Sequence, residues 1–163
     1  MAVNGKNKGN SFERKISNLF SKRFQDTTGL ENSFRRNADS GSFFGNKNQK
    51  RMKTHDLEHA NFGDIITPNN FAFSIECKSY KTPPSFKAMT NNNIPDWDKW
   101  IKQATQDSIN SEKEFMLIVK YNGVDEIVFL KKHCSLEPIM TYKEFKIFKL
   151  SRVLELDDSF FWI

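Results

Sequence analysis

Hydrophobic positions recur along this chain with two different periods. Phe12, Ile16, Leu19, Phe20 and Phe24 fall at helical spacing on one face, which predicts a helix starting at Asn10. Residues 33–38 read as a short strand. Over 63–78 the period becomes two: Phe71, Phe73, Ile75 and Cys77 alternate with Ala72, Ser74, Glu76 and Lys78. A hairpin is expected there, its second strand apolar on one face and polar on the other. Counting outward from a turn at Pro68 to Asn70 sets Ile66 opposite Ala72 and Asp64 opposite Ser74, which brings Asp64 near Glu76. A second helix is predicted from Pro95 to Ser111, with Trp97, Ile101, Ala104 and Ser108 on one side. Two strands follow, FMLIVKY and EIVFLKK, around a turn at Asn122 and Gly123. In the tail, MTYKEFKIFKL alternates as a strand would. Thr141 with Glu144 also fits a capping box that puts Phe145 and Phe148 on one helical face, and the helix is the expectation. The order α-β-β-β-α-β-β-α describes an α/β domain around a mixed sheet.

A length of 163 residues suits one domain spanning 1–163, and 16 Phe and 3 Trp supply large side chains for its core. Residues 1–9 are small, polar and basic and read as a mobile arm; residues 41–62 read as a basic loop. The net charge of +5 serves solubility or a polyanionic partner such as nucleic acid. Cys77 and Cys134 stand far apart without CxxC spacing, the pattern of reduced thiols rather than of a disulfide framework. There is no apolar run of a signal peptide at the start and none long enough to span a membrane, so a cytoplasmic location is expected.

The polar face of the hairpin carries the candidate chemistry. Asp64 and Glu76 held close repel each other unless a cation lies between them, and such oxygen ligands suit Mg²⁺ or Mn²⁺. Lys78 points to the same face as Glu76, where an ammonium orients a water or stabilises charge on a phosphate. Glu and Lys two apart on an exposed strand also form ordinary stabilising charge pairs, and the spacing alone leaves both readings open.

Gly63-Asp64 followed by Glu76-Cys77-Lys78 resembles the signature of the PD-(D/E)xK nuclease superfamily. NKGNSFERKISNLF is similar to the first helix of archaeal Holliday junction resolvases and their phage relatives, in which a glycine precedes a Glu-Arg pair. FRRNADSG is similar to their next segment, an Arg followed four residues later by a Ser. The resemblance covers about residues 8–110 and implies a restriction-endonuclease-like fold, a mixed β-sheet core flanked by helices. By position it implies that Glu13, Asp64 and Glu76 bind divalent metal, that Lys78 is the catalytic lysine, and that Ser40 sits at the scissile phosphate or a metal-bound water. Arg14 and Arg36 would contact the DNA backbone. Plainer roles exist for several of these: Glu13 lies three residues after Asn10 and could close a capping box, Arg14 could be a solvated charge, and Ser40-Gly41 is good turn sequence.

Two departures from the pattern are visible. The usual Pro before the Asp is Gly63, and the stretch between Ser40 and Asp64 is longer than in the compact archaeal enzymes. That insertion carries Lys47, Lys50, Arg51 and Lys53, which are expected to meet DNA phosphates. His55 and His59 have the HxxxH spacing of a zinc pair but no third ligand of matching type nearby, so zinc is not expected. Gln103, on the second helix, either approaches the active site or is a solvated surface residue.

The resulting expectation is Mg²⁺-dependent phosphodiester hydrolysis, with Mn²⁺ as a substitute. The DNA substrate implied by the resemblance is a four-way junction of recombination and repair. Paired symmetric nicks then call for a homodimer, and the apolar FFWI end would bury in that dimer or in the chain's own core. A phage protein of this kind would act in the host cytoplasm. The rival readings are another nuclease of the superfamily, of nicking or restriction type, a non-catalytic DNA-binding module, and a protein-interaction domain.

Overall fold

The computed structural model describes residues 5–37 and 62–163. Helix α1 (Gly5–Arg23) and the single turn α2 (Gln25–Thr28) lead to β1 (Arg35–Arg36). The hairpin is β2 (Ile65–Ile66) and β3 (Phe73–Tyr80). Helices α3 (Phe86–Thr90) and α4 (Pro95–Ser111) precede β4 (Glu114–Tyr121), β5 (Ile127–Leu130), β6 (Met140–Tyr142) and β7 (Phe145–Lys149). A last turn of helix, α5 (Leu150–Val153), and a 3₁₀ turn over Asp158–Phe160 follow.

Among the described residues the strands form one mixed sheet of seven in the order β1-β2-β3-β4-β5-β7-β6. Strands β3 and β4 run parallel, joined through α4, and the other pairs are antiparallel. Alternation along the strands feeds a core on each face. Phe73, Ile75 and Cys77 of β3, with Met116 and Ile118 of β4, pack against Phe12, Ile16 and Phe20 of α1. On the other face, Leu117, Val119 and Tyr121 pack against Trp97, Trp100, Ile101 and Ala104 of α4. The sheet is thus covered by helices on both sides, as expected for a restriction-endonuclease-like fold.

Several local expectations change. Helix α1 begins at Gly5, so residues 5–9 of the expected arm belong to it, and Asn10 stands inside the helix where it cannot cap. The hairpin register slips by two residues: Ile65 pairs with Ile75, so Ile66 no longer faces Ala72. Phe71 and Ala72 are taken up elsewhere. Phe71 bridges Trp162, and the Ala72 amide donates to the Phe161 carbonyl at 2.7 Å. FFWI therefore contributes to the chain's own core, with Phe161 fully buried. The tail expected to be helical is the hairpin β6–β7, turning at Lys143 with φ 52°. Its alternation wins because Phe145 and Ile147 fill one core while Phe148 fills the other. Cys77 and Cys134 are both free thiols.

Candidate active site

Asp64 is placed by its neighbours on the chain. Gly63 has φ 77°, and a Cβ there would come within 2.6 Å of the Ile75 carbonyl oxygen. Only glycine suits both the left-handed backbone and the close approach, so a proline, with φ fixed near −65°, could not stand in this conformation. Asn37 ties the segment to β1: its side-chain amide donates to the Gly63 carbonyl and its backbone amide to the Asp64 carbonyl. The Asp64 amide donates to the Ile75 carbonyl, and the Cys77 amide donates to Asp64 Oδ2 at 2.9 Å, which fixes the carboxylate against β3.

Glu76, Lys78 and Tyr80 follow one another on the face of β3 that meets α4. The helix presents Trp100, Gln103 and Asp107 to them in the reverse order. Tyr80 lies against Trp100, with ring centroids 4.5 Å apart. Gln103 Nε2 donates to Glu76 Oε1 at 2.6 Å, and Lys78 Nζ donates to Gln103 Oε1 at 3.1 Å and to Glu76 Oε1 at 2.5 Å. Glu76 is 1 % exposed, and its other oxygen, Oε2, is buried without a hydrogen-bond partner. Burial and then the Asp64 charge push the Glu76 carboxyl well above its usual range, Lys78 opposing. Burial works to lower Lys78, but the Glu76 carboxylate outweighs it and the ammonium is held above its ordinary value.

Asp107 stands within the field of Asp64 and was not singled out from the sequence. It is 7 % exposed, and burial followed by the Asp64 charge raises its carboxyl to about 6. The available signal was its position one helical turn beyond Gln103.

Glu13 of α1 stands within the field of the same group. Burial and Asp64 raise its carboxyl, while Arg36 opposes them. Arg36, expected on DNA, is engaged inside the protein, with Nε 2.5 Å from Glu13 Oε2 and Nη2 2.7 Å from Asn10 Oδ1. Arg14 is exposed. Ser40, Lys47, Lys50, Arg51, Lys53, His55 and His59 lie outside the described residues.

Whether a cation suits this group is answered by its unmet needs. The Asp64 charge adds to burial in raising the proton affinity of Glu76, and a buried Glu76 oxygen lacks a donor. A divalent cation beside Asp64 and Glu76 meets both. Among the described residues no three His, Cys, Asp or Glu side chains form a ready cage. Mg²⁺ does not require one, since it binds through one or two carboxylates with water and phosphate oxygens.

No curated protein and no solved structure matches the chain. The family model described as "Phage putative PDDEXK endonuclease" matches residues 4–156. That span includes Asp64, Glu76 and Lys78, the letters of the motif, on a sheet of the fold that the motif implies, and the chain belongs to this family of phage endonucleases.

Proposed function

We propose that the protein is a Mg²⁺-dependent DNA endonuclease that resolves four-way junctions by paired symmetric nicks. The observation that carries the chemistry is the divided state of Glu76: one oxygen is held by Lys78 and Gln103, the other is buried without a partner, and the Asp64 charge bears on the carboxyl. Asp64 and Glu76 would hold the metal, with Glu13 as the third carboxylate. Mg²⁺ bound there would polarise the phosphate and activate a water. Lys78 keeps its proton through Glu76 and offers N–H donors to the attacking water or to a phosphate oxygen. Gln103 fixes both Lys78 and Glu76, so that the ammonium need not reorganise as charge develops. Ser40 would contact the scissile phosphate, while Arg14, Lys47, Lys50, Arg51 and Lys53 would bind the backbone. The junction as substrate is supported by the similarity of the Glu13-Arg14 and Arg36-to-Ser40 segments to resolvases. One site per chain then requires a two-fold dimer.

The test compares a synthetic four-way junction with linear duplex of the same sequence, with and without Mg²⁺, for the native chain and Asp64→Asn. The native chain should nick the junction preferentially and only with metal. Asp64→Asn should lose at least about 100-fold in cleavage while junction binding persists. Full cleavage by a folded Asp64→Asn protein would sink this site, and equal cleavage of both DNAs would remove the junction preference.

A further inference from the structure

Beyond Lys78, β3 ends on an aromatic that the proposed hydrolysis does not use. Tyr80 shares the Glu76 and Lys78 face and is 44 % exposed while it packs on Trp100. Beside it opens a cavity of about 290 Å³, walled by Tyr80, Trp100, Tyr121, Pro83, Pro84 and Ala88. This is just under the roughly 300–1,000 Å³ of small-molecule sites, which is room for one ring system. Among the described residues its lining holds no Lys or Arg, and Asp96 is its one charged group. A phosphate is therefore a poor occupant, and a flat neutral ring is a good one. The prolines fix the wall after β3 through their locked φ. Two residues of extended strand set the Cα atoms of Tyr80 and Lys78 about 6–7 Å apart, no more than two base steps of about 3.4 Å. A phosphate engaged by Lys78 thus has its neighbouring nucleoside within reach of the cavity.

We propose that this cavity binds an unpaired nucleobase flanking the scissile phosphate, stacked on Tyr80. This rests on the nuclease reading above and gives it a basis for substrate choice. Bases inside a duplex stack on one another and offer only their edges, so a pocket lined by aromatic and proline rings accepts only a base freed from its stack. Such bases occur at branch points, forks and single strands. The pocket therefore selects DNA by its structure with little regard to sequence, because every base has a π-face.

The experiment measures binding of the full chain in EDTA, where no cleavage intervenes. The probes are a forked duplex, with 2-aminopurine at its first unpaired position, and a fully paired duplex. Tyr80→Ala should lose about 5- to 150-fold in affinity for the fork, the worth of one base–aromatic stack, keep its affinity for the duplex, and abolish the quenching of 2-aminopurine. Tyr80→Phe, which retains the ring, should behave as the native chain. If Tyr80→Ala melts too low to compare, Ala88→Leu decides: it narrows the cavity from another wall and should show the same selective loss. Equal losses on both DNAs, or none on the fork, would overturn the base pocket and leave the nuclease reading standing. A native chain that binds neither DNA would overturn both.

Discussion

Replacing Asp107 by Asn removes a charge that the folded protein tolerates poorly. The side chain is buried on α4, and burial and the Asp64 carboxylate raise it from an ordinary 3.8 to about 6, with Lys78 pulling the other way. In the unfolded chain it ionises near 3.8. Between these values the folded state holds the extra proton, so stability falls as pH rises through this window and is level above it. At about 1.4 kcal/mol per pH unit, the interval from 3.8 to about 6 corresponds to roughly 3 kcal/mol. The carboxamide of the variant is close in shape to the protonated acid and carries no such loss. Asp107→Asn should therefore match the native chain near pH 4 and exceed it by about 2–3 kcal/mol at pH 8, a large fraction of a typical domain's 5–15 kcal/mol. Urea melts at each pH from 4 to 8 in EDTA measure this directly, with the m-value checked for constancy. A difference that stays flat across that range would show that Asp107 does not feel Asp64 and does not belong to the site.

Three further outcomes are expected. Gly63→Ala should lose about 1–3 kcal/mol by thermal melting and most of its cleavage, because the new Cβ meets the Ile75 carbonyl and displaces Asp64. Phe161→Ala should cost about 3–5 kcal/mol in denaturant unfolding, since the ring is fully buried among Phe24, Phe71 and Phe73. Neutralising Lys47, Lys50, Arg51 and Lys53 together should lower the slope of log affinity against log salt by about 3.6, and an unchanged slope would leave that segment without a DNA role.

The grouping of polar side chains on the hairpin was legible because a strand assigns faces by parity. The register slipped by two, and a slip of two keeps every side chain on its face. Asp64, Glu76 and Lys78 therefore stayed together although the pairing was miscounted. The Arg36–Glu13 pair was not legible, since it joins residues 23 apart through tertiary contact, and each alone looked like a DNA contact or a cap. Asp107 stands in a helix stretch rich in polar residues, where burial of one carboxylate leaves no local trace. The tail misled for a different reason. Its turn uses Lys143 in the left-handed region, where glycine or asparagine would have announced a hairpin, and so the capping pattern prevailed.

The seating of Ala72 and Phe71 on Phe161 and Trp162 has a consequence for the timing of folding. The Ala72–Phe161 hydrogen bond closes a loop of 89 residues, the difference between 161 and 72. At about 5–20 residues per second, synthesis needs roughly 4–18 s to cross that interval. Throughout it the hairpin already exists as chain while the segment that holds its beginning does not. A nascent or stalled chain short of residue 160 carries Asp64, Glu76 and Lys78, yet at the entry to β3 Phe71 lacks its bridge to Trp162 and the Ala72 amide lacks the Phe161 carbonyl. Closure of that entry waits for residue 161, by which time helix α1 and most of the sheet can already be in place. This pairing is one of the long-range closures that weigh on folding speed more than the local helices do, and the strand entry stays more open to proteolysis until it forms.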